Sequence, residues 1–262
     1  MKKIIFALMM GLIALGVLGC DTMTTTQPTT QPITEPSEWI SITTIEELQS
    51  MDMTKAYRLA QDLDLSGIEW EPIGSLSEPF SGWFDGDNHT LSNLTITQPN
   101  HHYNGLFGIV TGSIKNLSVT DYDINYTDDF ISYAGGLAAH MTGNITNVTV
   151  SGSITINNLT SNTYAGGLVG FHSAYLSDTT TVAEFTTSNI VNAHATVTLD
   201  IKTENFAFVG GLVGKTYNSH LDHTSAIGTV QALSRNYRVY LGGLIGHNFG
   251  GILVSHESLV DT

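Results

Sequence analysis

The chain has 262 residues, and its 24 Asp and Glu residues outnumber its 9 Lys and Arg residues, which gives a formal charge of −15 at neutral pH. A surface of this sign repels phosphate groups, so the composition argues against nucleic-acid binding and against attachment to anionic lipids through a basic patch. The chain has a single cysteine, Cys20, which excludes a disulfide within the chain.

The chain begins with a short apolar leader. Two lysines precede an apolar run that is too short for a comfortable membrane span. The run ends in Val17-Leu18-Gly19-Cys20, which resembles a bacterial lipobox, where the signal is cleaved before a cysteine that then carries diacylglycerol. We therefore predict a lipoprotein signal peptide over residues 1–19, lipidation of Cys20, and anchoring to the extracytoplasmic face of the cell membrane through that lipid.

A tether and a short helix are predicted next. Residues 20–38 are rich in threonine and proline and contain almost nothing that a core would bury, which predicts an extended tether. Thr43 and Glu46 then form a capping-box pattern at the start of a short amphipathic stretch. We expect this helix to cover the open end of the domain that follows.

Residues 39–262 contain a repeat built around a Gly-Leu pair. Successive copies of this glycine are separated by 31, 31, 44 and 32 residues. Each unit offers about three short β-rich runs separated by Gly or Asn turns, and no unit shows a helical period. This pattern predicts an all-β domain in which each unit forms one turn of a parallel β-helix, because propeller blades need four antiparallel strands. The glycines are Gly105, Gly136, Gly167, Gly211 and Gly243.

Equivalent positions in successive turns of a β-helix stack about 4.8 Å apart, so the repeat predicts two ladders of side chains. Asn93, Asn116 and Asn147 are expected to form one ladder at a turn, where side-chain amides bond along the stack and tolerate left-handed backbone. The leucine after each glycine is expected to form the other, in the interior. These leucines are Leu106, Leu137, Leu168, Leu212 and Leu244.

The third unit is longer than its neighbours by about 13 residues. It contains the turn motif twice, at Leu176-Ser177-Asp178 and at Ile190-Val191-Asn192, so one copy must lie in an insertion. Because insertions in solenoids project from one face, residues 177–189 are a candidate contact loop, with an idle loop as the alternative.

An aromatic residue precedes most of the repeated glycines by three positions. Stacked and exposed rings bind sugars or peptides, so these rings are the candidate ligand-binding residues. Each ring stands four residues before the leucine, however, and period-two alternation then favours interior packing, unless a bulge at the Gly-Gly pair reverses the face. The candidates are Tyr133, Tyr164, Phe208 and Tyr240, with His102 at the same position in the first unit.

The densest acidic group consists of Asp121, Asp123, Asp128 and Asp129. A solvated acidic turn is the first interpretation of this group. A calcium site is one alternative, since Ca²⁺ prefers carboxylate ligands, and carboxylate catalysis on a polysaccharide is another. No other cofactor is predicted.

Several segments together resemble the GLUG-motif proteins of bacterial surfaces. The resemblance covers residues 42–255, although Ala138-Ala139 departs from the Val-Gly of the other copies. It implies a right-handed parallel β-helix and a surface location, and it implies no defined activity. The segments that carry it are Leu63–Gly67, Trp70–Gly74, Phe80–Leu94 and Gly105–Gly108.

These observations predict a non-enzymatic surface lipoprotein that serves adhesion or ligand binding, with an extracellular protein or glycan as its partner. Two alternatives remain. One is a carbohydrate-active β-helix enzyme, similar to a polysaccharide lyase or hydrolase and dependent on the acidic group. The other is a purely structural envelope protein.

Overall fold

A computed structural model describes residues 34–98, 102–174, 188–250 and 252–261. The chain divides into two units, Met1–Glu35 and Pro36–Thr262, and everything below concerns the second. The predicted signal peptide, Cys20 and most of the predicted tether lie outside the described residues.

The second unit is a parallel β-solenoid, as predicted. Neighbouring strands run parallel and pair with the equivalent strand of the next turn. The elements are β1 (Ile40–Ile42), α1 (Ile45–Gln49), β2 (Ala56–Leu59), β3 (Leu63–Asp64), β4 (Trp83–Asp85), β5 (Thr90–Ser92), β6 (Thr95–Ile96), β7 (Tyr103–Asn104), β8 (Phe107–Val110), β9 (Ser113–Asp128), β10 (Ser132–Gly135), β11 (Ala138–Met141), β12 (Asn144–Asn158), β13 (Thr163–Gly166), β14 (Val169–Ser173), β15 (Ser188–Thr203), β16 (Ala207–Gly210), β17 (Val213–Tyr217), β18 (Ser219–Ser234), β19 (Val239–Gly242), β20 (Ile245–Phe249) and β21 (Ile252–Asp261).

The strands form three sheets around one core. The long strands β9, β12, β15, β18 and β21 lie side by side in the first sheet, which the short strands β1 to β6 extend at its N-terminal end. The second sheet has the order β7-β10-β13-β16-β19, and the third has the order β8-β11-β14-β17-β20. Each complete turn therefore contributes one strand to each sheet.

The predicted leucine ladder is confirmed. Leu106, Leu137, Leu168 and Leu212 are fully buried, and Leu244 in the last turn is 7 % exposed. Full burial of a leucine side chain stabilises a fold by roughly 1.5–3 kcal/mol. The repeated leucine is therefore a direct source of the stability of each turn.

The predicted asparagine ladder is confirmed for Asn116 and Asn147, and Asn192 extends it. All three have left-handed backbone, with φ of 52°, 56° and 52°. The Asn147 amide donates to Asn116 Oδ1 over 3.0 Å, and the Asn192 amide donates to Asn147 Oδ1 over 2.8 Å. At the N-terminal end, the Asn116 amide donates to Asp85 Oδ1 over 3.0 Å.

The assignment of Asn93 to this ladder was wrong. Asn93 lies at a different corner, where its N–H donates to the carbonyl oxygen of Thr120 and its amide donates to Asp64 Oδ1 over 2.8 Å. Its φ of 60° matches the 55° of Asp121, which occupies the equivalent position in the next turn. Two corners of the first sheet therefore contain residues with left-handed backbone. Because asparagine occurs at both corners, the sequence alone did not distinguish them.

Helix α1 forms near the N-terminal end, but its capping box lies one residue later than predicted. Thr44, rather than Thr43, is the N-cap, and Glu47, rather than Glu46, is its partner. The Glu47 carboxylate accepts from both the Thr43 and Thr44 N–H groups, over 2.7 and 3.2 Å. Leu48 of this helix is fully buried.

Helix α1 has five residues, and the described part of the chain contains no apolar helix of the length that a membrane span requires.

The long third unit keeps the solenoid register through its second turn motif. Ile190 and Val191 of β15 pair with Ile145 and Thr146 of β12. The first copy of the motif and most of the candidate contact loop 177–189 lie outside the described residues.

Candidate functional site: an aromatic groove and its cleft

Glycine corners decide where the aromatic side chains point. A Cβ atom at Gly135 would lie 2.4 Å from the carbonyl oxygen of Ala138, and one at Gly166 would lie 2.2 Å from that of Val169. The corner between the second and third sheets brings backbone so close to these positions that only glycine fits, and strand alternation does not continue through the corner.

The aromatic residues therefore face away from the core, and the prediction of interior packing was wrong. In β10, Ser132 and Ala134 are fully buried, whereas Tyr133 between them is partly exposed. The corner at the Gly-Gly pair separates the ring from the leucine that follows it. The alternative interpretation, in which the Gly-Gly pair reverses the face, gives the observed outward direction of the rings.

The outward rings form one continuous stack, which we call the aromatic column. Successive ring centroids lie 4.9, 4.7, 4.8 and 4.8 Å apart, with interplanar angles between 3° and 12°. The four predicted candidates are brought together here, and a fifth ring precedes them. The column consists of Tyr103, Tyr133, Tyr164, Phe208 and Tyr240.

The sequence pattern placed His102, rather than Tyr103, in this column. Tyr103 pairs with Tyr133 in the strand register, although it precedes Gly105 by two residues instead of three. Asn104 pairs with Ala134, and a single glycine follows it where the other units have a Gly-Gly pair, so counting back from the glycine is off by one residue in the first unit. The sequence signal that could have identified Tyr103 is that it is an aromatic residue directly after His102, the position found by counting.

A second row of side chains lies beside the aromatic column. His140, Phe171, Lys215 and His247 occupy one register position in β11, β14, β17 and β20. The His140 and Phe171 rings are 4.8 Å apart, and the Phe171 ring lies 5.8 Å from that of Tyr164. We call the column and this row together the aromatic groove.

The charge state of the groove follows from its burial. Burial lowers the pKa of His140 to about 4, so this ring is neutral at pH 7, and its Nε2 lies 3.1 Å from Ser173 Oγ. Burial, with a smaller effect of the Lys215 charge, also lowers the pKa of His247. Burial raises the pKa of Tyr103 and Tyr133, which keeps both phenols protonated. At neutral pH, Lys215 supplies the positive charge of the groove.

The N-terminal end of the groove opens into a cleft of about 900 Å³. Tyr103 and Tyr133 line it on the side of the column, and His102 and Ile131 also contribute to its lining. A loop, residues 71–78, lines it from the preceding turn.

This loop is anchored to the solenoid on both sides. The Ile109 N–H donates to the Gly74 carbonyl over 3.2 Å, and the Phe80 N–H donates to the Ile109 carbonyl over 2.9 Å. Between these contacts the Ser75 N–H donates to the Glu78 carbonyl over 2.9 Å, which closes a tight turn. Backbone hydrogen bonds therefore fix the loop that lines the cleft to the solenoid.

The predicted acidic group is not brought together. Asp121 and Asp123 lie on β9, and Asp123 accepts from Ser153 Oγ over 3.1 Å. Asp128 follows at the end of the same strand, about 16 Å from Asp123 at roughly 3.3 Å per residue. Asp129 is adjacent to Asp128. Within the described ranges, no group of three or more His, Cys, Asp and Glu side chains is placed to hold a metal ion.

Asp128 interacts electrostatically with His102, which lines the cleft. Burial raises the pKa of its carboxyl group to about 6, and the neighbouring Asp129 charge acts in the same direction. The hydrogen bond from Ser132 and the charge of His102 act against this shift.

Comparisons with known proteins were made for sequence and for fold. No protein-family model matches the chain. The chain is 33 % identical over 110 residues to halomucin of Haloquadratum walsbyi, a match that covers 36 % of this chain and 1 % of halomucin. It is 36 % identical over 75 residues to a "Putative Gly-rich membrane protein" of Evansella cellulosilytica, covering 25 % of this chain and 9 % of that protein. The chain thus spans less than a tenth of the length of either relative.

A solved structure supports the fold. A "putative immunoglobulin A1 protease" from Bacteroides ovatus superposes with a TM-score of 0.53 over 86 % of this chain and 83 % of that one, at 15 % identity. At this identity the likeness concerns the fold alone. The comparisons therefore support the β-solenoid, and function has to be argued from the groove and its cleft.

Proposed function

We propose that this chain is a lipid-anchored, extracytoplasmic protein of the GLUG-motif type that uses the aromatic groove for adhesion or ligand binding and catalyses no reaction. The observation that carries the proposal is the ordered column of five stacked rings, all partly exposed except the buried Phe208, that ends in a cleft of about 900 Å³. Small-molecule sites commonly have volumes of about 300–1,000 Å³ and aromatic linings. Because neighbouring rings hold one another in place, a ligand meets side chains that are already ordered, which reduces the entropic cost of binding.

The geometry of the column limits how a ligand makes contact. Rings about 4.8 Å apart cover each other's faces, so Tyr133, Tyr164 and Phe208 offer mainly their edges along the groove. Tyr133 covers one face of Tyr103, which lines the cleft and has no second stacked ring among the described residues. We therefore expect a flat or cationic group to bind on Tyr103, with any extension of the ligand following the groove.

The lipid anchor has a separate test. The apolar leader and Cys20 support anchoring, and one partial relative has "membrane protein" in its name. We expect Cys20→Ser to abolish labelling by an alkyne fatty acid and to move the protein from the membrane fraction into the soluble fraction. Unchanged labelling and fractionation of the Cys20→Ser variant would contradict lipidation at this residue.

Binding is tested by screening the mature protein against extracellular matrix proteins and glycans. A ligand found in this way should bind at least about tenfold more weakly to Tyr103→Ala, which corresponds to about 1.4 kcal/mol. The matched control is Tyr217→Ala, because Tyr217 is also a partly exposed stacked ring, 5.0 Å from Phe249, but lies outside the aromatic groove. Equal losses in both variants, or no ligand in the screen, would contradict the proposal. The absence of any ligand would favour a purely structural role.

A further inference from the structure

We propose that the cleft binds an ammonium group, of the kind carried by choline or by a lysine side chain. This inference rests on the proposed function and names the ligand class of the same site.

The first support is the face of Tyr103 that is not stacked on Tyr133. Its ring stacks on Tyr133 at 4.9 Å, with His140 of the same turn also on that side at 6.3 Å. His102 approaches it edge-on, at 6.3 Å and 69°. Among the described residues, no aromatic ring stacks on the remaining face, and Tyr103 lines the cleft. A cation within about 6 Å of such a face is attracted by the quadrupole of the ring.

The second support is that the protein itself places an ammonium group beside this column, next to rings whose faces are already stacked. The Lys215 Nζ lies 5.1 Å from the centroid of Phe208 and 5.8 Å from that of Tyr164. Following the register back through Phe171 and His140, the position of Lys215 is occupied in the first turn by Ile109, which is fully buried. Lys215 in β17 is the only lysine among the five described residues at this position, and the turn at the cleft lacks one, so a ligand can supply the cation there.

The third support is the charge of the cleft. Glu71 and Glu78 line it from the loop, and its described lining contains neither lysine nor arginine. Asp128 lies near His102, and the chain as a whole carries a formal charge of −15. Anionic groups such as phosphate, sulfate and uronate are repelled from such a site, whereas cations are attracted to it over about a Debye length.

The combination favours an ammonium group over a neutral sugar. A sugar gains from the ring face and from hydrogen bonds, but it gains nothing from the net negative charge. A quaternary ammonium group gains from both the ring and the carboxylates, and a primary one also donates hydrogen bonds to them.

The test compares choline with 3,3-dimethylbutanol, its uncharged analogue of the same shape, by titration into the mature protein. We expect choline to bind at least tenfold more tightly than the alcohol. We expect Tyr103→Ala and Glu78→Gln each to weaken choline binding at least tenfold, with Tyr103→Phe close to wild type and Tyr217→Ala unchanged. Glu78 lies in an exposed turn, so its variant should fold normally, which circular dichroism checks. Nα-acetyl-lysine methylamide in a parallel titration distinguishes a peptide source of the ammonium group from a choline-bearing one.

The outcomes separate this inference from the proposed function. Equal affinity for choline and the alcohol would overturn the inference. If a neutral glycan binds in a Tyr103-dependent manner while neither ammonium probe binds, the inference is wrong and the binding function stands. If neither the probes nor any ligand of the screen binds, both are wrong.

Discussion

Removing the ring of Tyr164 tests whether the aromatic column stabilises the solenoid as one continuous stack. Tyr164 lies between Tyr133 at 4.7 Å and Phe208 at 4.8 Å. Alanine at this position removes both stacked pairs, each worth about 0.5–1.5 kcal/mol beyond burial. It also exposes on the order of 80 Å² of apolar surface, which adds about 2 kcal/mol at roughly 25 cal/mol per Å². We expect a loss of about 3–5 kcal/mol in the free energy of unfolding, the usual range for loss of a packed ring.

The matched control is Tyr240→Ala at the end of the column. Tyr240 has one stacked neighbour, Phe208 at 4.8 Å, and meets His247 edge-on at 4.9 Å. We expect this variant to lose about half as much as Tyr164→Ala, and Tyr164→Phe to lose under about 1 kcal/mol because the ring remains. Urea denaturation followed by circular dichroism measures all three. A Tyr164→Ala variant no less stable than Tyr240→Ala would refute the continuous stack.

Three further predictions concern corners and pH. Asn147→Ala should lower the free energy of unfolding by about 2–3 kcal/mol, because it removes two side-chain hydrogen bonds and places alanine at φ 56°. Asn147→Gly should lower it by about 1 kcal/mol less in urea denaturation, because glycine tolerates this φ. A glycine variant less stable than the alanine variant would contradict the ladder. Gly166→Ala should prevent the corner from closing and lower the free energy of unfolding by more than about 3 kcal/mol. A Gly166→Ala variant that melts at the same temperature as the wild type would contradict the predicted clash. Burial lowers the pKa of His140 and His172 to about 4, so the unfolded chain binds more protons than the fold between about pH 6.5 and 4. Stability should therefore fall by up to roughly 3 kcal/mol per histidine as the pH decreases through this window. Burial raises the pKa of Asp128 to about 6, so this carboxyl group makes the fold more stable as the pH decreases, opposite to the histidines. The Asp128→Asn variant should therefore lose stability more steeply in acid than the wild type. A free energy of unfolding that does not change with pH in this variant, measured by urea denaturation, would contradict the burial of the two histidines.

The repeat made the solenoid and its leucine ladder predictable. Regular spacing of glycine and leucine requires one structural unit per repeat, and burial of Leu137 or Leu168 follows from stacking those units. The ladder of Asn116 and Asn147 was predictable for a similar reason, since asparagine tolerates left-handed backbone at a corner.

The direction of the aromatic rings was not predictable from alternation. Alternation holds only within a strand, and the corner at Gly135 interrupts it between Tyr133 and Leu137.

The acidic group was dispersed for a different reason. Asp121 lies at a corner of β9, and extended backbone continues from Asp123 to Asp128, so residues close in sequence lie far apart.

The cleft was the least accessible feature. Its walls come from residues 71–78 and from Tyr103 and Tyr133, which meet because the loop pairs with β8 through Ile73 and Phe80. No local sequence pattern encodes this contact between turns.

If the aromatic groove and its cleft form a ligand-binding surface, a bound ligand must perturb Tyr103 and the residues around it. The most direct measurement is an NMR titration of the mature protein with choline, with tyrosine ring and backbone signals assigned. We predict saturable shifts at Tyr103, Tyr133 and the turn at Glu78, with little change at Tyr217. Saturable shifts centred on Tyr217 and Phe249, or no saturable shifts at Tyr103 with any ligand found by screening, would contradict the claim.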